Sequence, residues 1–252
     1  MSNLFWLTDA QMERLKPYFP KSHGKPRVDD RRVLSGIIFI NRNGLRWCDA
    51  PTDYGPAKTL YNRWKRWSEN GTFARIMVGL AAESAEHNTI MIDATYLKAH
   101  RTASSLRVKK GGGGRQIGRT KGGMNTKLHA VTDAKGRPIG FFMSAGQVSD
   151  YTGAAALLNS LPEADWLLAD RGYDADWFRD ALKNKGIKVC IPGRKSRKKP
   201  VKYDKRRYKR RNRIEIMFGR LKDWRRVATR YDRCPETFFS AILLAATVIF
   251  WL

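Results

Sequence analysis

Two short apolar runs in this chain each end on an aspartate: Ile90-Met91-Ile92-Asp93 and Trp166-Leu167-Leu168-Ala169-Asp170. Runs of this length bounded by polar residues read as buried strands. Aspartate is unfavourable within a strand, and a carboxylate is rarely buried unless it is paired or holds a metal. A strand end turning into a loop would account for one such residue. Two of them ask for a fold whose sheet delivers acids from rigid elements.

A third acid comes late in the chain. Tyr208, Arg211, Glu215 and Lys222 stand at offsets that, at about 100° per residue, fall within an arc of roughly 60° on one helical stripe. Ile214, Phe218 and Leu221 lie beside that stripe and would anchor it to a core. Such a helix suits a metal-binding acid working beside a phosphodiester. The alternative is an amphipathic helix with ordinary charge pairing at i,i+4 and i,i+7. Three carboxylates on rigid elements favour the first reading, because hard oxygen ligands suit Mg²⁺ or Mn²⁺. Two such ions can activate an attacking oxygen and stabilise the leaving one in an in-line phosphoryl displacement.

Charge points the same way. The 252 residues carry 49 Lys and Arg against 23 Asp and Glu, a formal net charge of +26. Self-repulsion makes such a charge costly to fold, and a polyanionic partner, nucleic acid first, is the economical explanation. An anionic membrane surface would favour a basic amphipathic helix or a lipid anchor, and neither stands out. Cys48, Cys190 and Cys234 show no paired spacing, which argues against a disulfide framework and for a reducing compartment. No signal peptide is visible at the N-terminus. The apolar stretch from Thr237 to Leu252 is short for a membrane span and reads as a buried terminal helix.

Residues 1–88 read as helical. Thr8 and Gln11 form a capping-box pattern, and a helix is expected from Asp29 to about Asn43 with Gly44 as its stop. A further helix from Ala57 to about Glu69 has Leu60, Tyr61, Trp64 and Trp67 as its apolar face and Lys58, Asn62, Arg63, Lys65 and Arg66 on the other. Short helices with one basic face suggest a DNA reader of the helix-turn-helix kind, the alternative being a helical cap on the next domain. Arg63, Lys65 and Arg66 are the candidate contacts.

From Thr89 the pattern changes to strands. They are expected at 89–98, about 125–133, about 138–144, 165–169 and 187–191, with Asp133-Ala134-Lys135-Gly136 as a hairpin turn. Helices are expected from Asp150 to Leu161 and over about 174–185. Lys109-Lys110-Gly111-Gly112-Gly113-Gly114 lacks the pattern of a phosphate-cradling loop and reads as part of a flexible basic segment ending near Gly123. Three hairpin-linked strands followed by alternating helices and strands describe a mixed five-stranded sheet with flanking helices.

Between Arg194 and Arg213 there are 13 Lys and Arg in 20 residues, against one acid, Asp204. Such a run is often a solvated tail, but here it leads directly into the helix bearing Glu215. Arg194, Lys195, Arg197, Lys198 and Lys199 are candidates for phosphate contact, which supplies affinity and salt dependence rather than sequence readout. Arg171 shapes the turn after Asp170 and could also meet a phosphate. His23, His87, His100 and His129 have no metal-ligand spacing and read as structural or surface residues.

The signature Tyr208-x2-Arg211-x3-Glu215-x6-Lys222, with Ile92-Asp93-Ala94-Thr95 and Ala169-Asp170-Arg171-Gly172-Tyr173-Asp174, closely resembles the DDE transposases of bacterial insertion sequences, nearest to insertion-sequence family five. The likeness extends over nearly the whole chain. It implies a ribonuclease H-like catalytic domain over 89–252, in which the first and fourth strands of the sheet are neighbours, following the helical domain of residues 1–88 read above as a DNA binder. It implies Asp93, Asp170 and Glu215 as ligands of two Mg²⁺ or Mn²⁺ ions. Arg211 and Lys222 would neutralise phosphates, and Tyr208 would hydrogen-bond or stack beside them. The partners implied are double-stranded DNA, as the element's terminal repeats and as target, and a second copy of the chain on DNA. No membrane is expected, and the location implied is the bacterial cytoplasm, at the nucleoid.

Overall fold

The computed structural model describes residues 4–21, 29–83, 88–104 and 114–252. Lys109 to Gly113 of the glycine-rich stretch, with His23 and His87, lie outside them. The chain divides into two compact units: Met1–Leu80 with Leu221–Leu252, and Ala81–Arg220.

The first unit begins with four helices, α1 (Asp9–Leu15), α2 (Asp30–Asn43), α3 (Ala57–Glu69) and α4 (Thr72–Ala82). The capping box forms as expected: Thr8 Oγ1 accepts from the Gln11 amide at 3.1 Å, and Gln11 Oε1 accepts from the Thr8 amide at 2.9 Å. Asp29 caps α2, and Gly44 ends it at φ +71°, a left-handed conformation that glycine adopts without steric cost. Val33, Leu34, Ile37 and Ile38 of α2 are fully buried, as are Leu60 and Trp67 of α3. Tyr61, expected on the apolar face of α3, is instead exposed.

The second unit is built on a mixed sheet. Its strands are β1 (Thr89–Ala99), β2 (Gly118–Thr120), β3 (Gly123–Thr132), β4 (Pro138–Ala145), β5 (Trp166–Ala169) and β6 (Lys188–Cys190). Among them lie α5 (Asp150–Leu158) and α6 (Asp176–Asn184), and α7 (Asn212–Lys222) follows. The order is β2-β3-β1-β5-β6, with β4 also paired to β3. Strands β1, β3 and β4 are antiparallel neighbours, whereas β5 and β6 add parallel to β1. This is the ribonuclease H-like arrangement, with the first strand central. One face of the sheet buries Ile90, Ile92, Val131, Leu167 and Ala169 against Ala154 and Leu157 of α5 and Phe178 and Leu182 of α6.

Within this unit the sheet has one strand more than the five anticipated. Residues 118–120, read from the sequence as flexible, pair antiparallel with the start of β3, where Gly118 faces Asn125. Asn125 fixes this hairpin by donating from Nδ2 to Thr120 Oγ1 at 2.7 Å and to the Gly123 carbonyl at 2.8 Å.

The chain ends in α8 (Pro235–Phe250), part of the first unit. Phe238, Ala241, Ile242, Ala245 and Ala246 of α8 are fully buried, and Arg14 Nη1 donates to the Trp251 carbonyl at 2.7 Å. The apolar terminus is therefore a core helix. Among the described residues no helix is long and apolar enough to cross a membrane.

Candidate active site

The parallel pairing of β1 with β5 sets Ile92 opposite Ala169. One residue further along stand Asp93, within β1 and still paired to Ala130 of β3, and Asp170, just past the end of β5 where the pairing of these two strands stops. Each carboxylate accepts from a nearby amide: Asp93 Oδ1 from the Ala94 amide within the strand and Asp170 Oδ1 from the Gly172 amide of the following turn, both at 2.8 Å. Burial raises the Asp93 carboxyl to about 6, and the neighbouring Asp170 pushes the same way, against the Ala94 amide and Arg211. A mostly buried carboxylate beside a second one lacks positive charge.

Glu215 arrives on α7, whose Ile214, Met217 and Phe218 are buried. The start of this helix is held to the β3–β4 turn, where Arg213 Nη1 donates to the Ala134 carbonyl. Gly136 sits in that turn at φ +83°, and a Cβ there would come within 3.0 Å of the Arg213 backbone. The stripe from Tyr208 to Lys222 is not one continuous α-helix. A turn of α-helix at Lys205–Tyr208 passes into a 3₁₀ turn at Lys209–Arg211 before α7 begins. The tighter winding shifts Tyr208 and Arg211 off the angles a uniform helix would give.

Arg211 joins the parts. Its Nη1 donates to Asp93 Oδ2 at 2.8 Å and its Nη2 to Glu215 Oε1. Burial works against the Arg211 charge, but Asp93, Tyr208 and Glu215 outweigh it and the guanidinium is held above its usual range. The same guanidinium lies 5.7 Å from the centre of the Tyr208 ring. Burial raises the Tyr208 phenol, and Asp170 adds to the rise. Asp93 and Asp170 are thus immediate neighbours, while Glu215 reaches Asp93 through a cation. Among the described residues no three His, Cys, Asp or Glu side chains are gathered closely enough to hold a metal ion together. The donor set still fits a hard divalent cation: carboxylate oxygens alone, one of the carboxyls raised by burial to about 6. Lys222 is half-buried further along α7, and burial lowers its ammonium.

Two basic residues anticipated as DNA contacts are structural instead. Arg63 is 9% exposed, ion-paired to Asp30 of α2 and 5.5 Å from the centre of the Trp67 ring. It faces the core because the Asp30 carboxylate waits there, so it does not share the outer face with Lys58, Lys65 and Arg66. Arg197 donates to both oxygens of Asp174, at 2.9 and 3.1 Å, and also binds Asp176. Lys195, Lys198, Lys199 and Arg171 are exposed. Arg194 is exposed too, with its guanidinium 5.3 Å from the centre of the Tyr151 ring.

Asp174 is the residue the sequence reading passed over. It is fully buried, and burial alone would raise it, yet Arg197, the Arg194 amide and Arg179 hold it well below the carboxylate range. Through these bonds it fastens the first residues of the basic segment to the turn that follows Asp170. Its presence in the Asp170-to-Asp174 motif was the available signal.

Comparison with known proteins identifies the family. The profile described as "Transposase DDE domain" matches residues 84–251, two thirds of the chain. The chain belongs to the DDE-domain transposases. A second profile, "Putative transposase of IS4/5 family", matches residues 7–77. The chain is 36% identical over 130 residues to the "Putative transposase for insertion sequence element IS6501" of Brucella ovis, covering 51% of this chain and 99% of that protein. It is 35% identical over 109 residues to "Uncharacterized protein y4sN" of Sinorhizobium fredii, covering 42% of this chain and 86% of the relative. Among solved structures, a piggyBac transposase synaptic complex with hairpin DNA overlaps at TM-score 0.48 and 8% identity, over 97% of this chain and 72% of the other. A Mos1 mariner paired-end complex with Mn overlaps at TM-score 0.29 and 14% identity, over 94% and 83%. At such overlaps it is the strand order that carries the fold assignment.

Proposed function

We propose that this transposase binds the terminal inverted repeats of its own element, cleaves the ends by metal-dependent hydrolysis to free 3′-hydroxyls, and joins them to target DNA. The observation that carries the reading is the placing of Asp93 and Asp170 side by side on neighbouring strands, with Arg211 bonded to both Asp93 and Glu215. Asp93, Asp170 and Glu215 would hold two Mg²⁺ or Mn²⁺ ions, which supply activation of the attacking oxygen and charge neutralisation at the leaving oxygen.

The chain's own residues do the rest. Arg211 keeps Asp93 and Glu215 in register in the free protein, and it turns to a phosphate when it is released from them. Tyr208 stacks or hydrogen-bonds beside the reacting strand, and Lys222 neutralises a phosphate further along the helix. Lys195, Lys198, Lys199, Arg194 and Arg171 follow the DNA backbone. Lys65 and Arg66, on the outer face of α3, give residues 1–88 a DNA-binding role ahead of the catalytic domain at 89–252. Pairing two element ends calls for two copies of the chain on DNA. The location that goes with this activity is the bacterial cytoplasm, at the nucleoid.

The test is end cleavage followed by joining to a supercoiled plasmid, with a labelled element end and Mg²⁺. Terminal nicking followed by joined product supports the proposal. Nicking without joining would make the enzyme a nuclease, and binding without nicking a DNA-binding relative.

A further inference from the structure

Lys127 of β3 is buried, a costly position for an ammonium unless it is fully paired. Its Nζ donates to the Val148 carbonyl at 2.7 Å and to Asp150 Oδ1 at 3.1 Å, and it lies 5.0 Å from the centre of the Tyr96 ring. This fixes Asp150, the first residue of α5, by one of its two oxygens. The other oxygen faces the catalytic turn. A Cβ on Gly172 would lie 2.9 Å from Asp170 Oδ1 and 3.4 Å from Asp150 Oδ2, so the two carboxylates flank one glycine. A buried ion pair is weak evidence for stability, and this one holds a carboxylate next to the acids already described.

A second observation comes from the next residue. The Tyr173 phenol is 1% exposed, and its hydroxyl has no hydrogen-bond partner among the described residues. Buried phenols nearly always have one. Burial opposes its ionisation, and so do Asp150, Asp93 and Asp170, which puts the hydroxyl within the field of these three acids. An unmet donor there calls for a small polar ligand such as water.

We propose that Asp150 and Tyr173 hold water carried by a hydrated divalent cation at Asp93 and Asp170, with Lys127 locking Asp150 in position. The inference rests on the metal-dependent reading above. Mg²⁺ sheds its water reluctantly and is usually bound with several waters still attached, and partners that orient such groups commonly contribute 10- to 100-fold in metal affinity. Asp150 accepts from such a water through its free oxygen, and Tyr173 donates its unmet O–H to the same shell. Both are positioning residues.

The test is Mn²⁺ binding to the full chain without DNA, followed by the loss of the free-ion resonance signal, so that the readout does not depend on activity. Asp150→Asn should weaken binding about tenfold, measured at a temperature where the variant, which leaves buried Lys127 without its charged partner, remains folded. Lys127→Met should approach the same loss by freeing Asp150, Tyr173→Phe should weaken binding a few-fold, and Asp150→Glu should recover part of the affinity. Asp165→Asn, an exposed acid at the other end of β5, should bind as wild type. Wild-type affinity in Asp150→Asn and Tyr173→Phe would overturn this inference and leave the metal reading standing. A wild-type chain that binds no Mn²⁺ would overturn both.

Discussion

Arg211 bonds Asp93 at 2.8 Å across 118 residues of sequence, and its second nitrogen holds Glu215. One guanidinium thereby links the middle of the central strand to the helix that follows the basic segment. The link explains how a site of like charges stays assembled in the free protein: the cation offsets part of the repulsion that would otherwise part the acids.

Stability of the metal-free protein should fall as pH rises from about 4 to about 6. Folding raises the Asp93 carboxyl to about 6, above the unfolded value near 3.9. The folded state therefore binds more protons between those values, and raising the pH favours unfolding. The full difference is roughly 2 to 3 kcal/mol. Asp93→Asn should remove this component, seen as converging urea midpoints for the variant at about pH 4.5 and about pH 7 in the presence of a chelator.

Asp174→Ala should destabilise the protein by about 3 kcal/mol, the usual cost of breaking a buried ion pair. Arg179 and Arg197 would lose their common partner, and the Arg194 amide its acceptor. Thermal unfolding measures the first effect. Weaker DNA binding at unchanged salt would report the loosened basic segment.

Substituting Lys195, Lys198 and Lys199 together by alanine should weaken DNA binding nearly equally for all sequences. The slope of log affinity against log salt should flatten by about 3, at about 0.9 per phosphate contact. Arg197→Ala should act mainly on stability, because its guanidinium is committed to Asp174 and Asp176.

The two sides of α3 should separate in the same manner. Lys65→Ala with Arg66→Ala should cost DNA affinity and leave the melting temperature nearly unchanged. Arg63→Ala should lower the melting temperature, since it strips a buried ion pair and the contact with Trp67.

Much of this architecture is legible in the chain itself. The runs ending at Asp93 and Asp170 announce their strands because uninterrupted apolar residues of that length need burial, and the α2 boundaries follow from Asp29 and Gly44. The strand at Gly118–Thr120 has no such signal: three residues in a glycine- and lysine-rich stretch become a strand only by pairing with β3. The 3₁₀ turn at Lys209–Arg211 is equally silent, since no glycine or proline marks it. Arg63 and Arg197 look like members of basic faces because the acids that bury them, Asp30 and Asp174, lie 33 and 23 residues away. Asp174 was visible within its motif, but its role depends on arginines brought in by the fold.

The central claim is that the three acids perform strand cleavage rather than merely shape a DNA-binding surface. Its most direct test is terminal nicking of a labelled element end in Mg²⁺ by wild type and by Glu215→Gln, with DNA affinity measured for both. The account predicts nicking by wild type and a loss of at least about a thousandfold in the variant, at near-equal DNA affinity. Nicking by Glu215→Gln at the wild-type rate would contradict it.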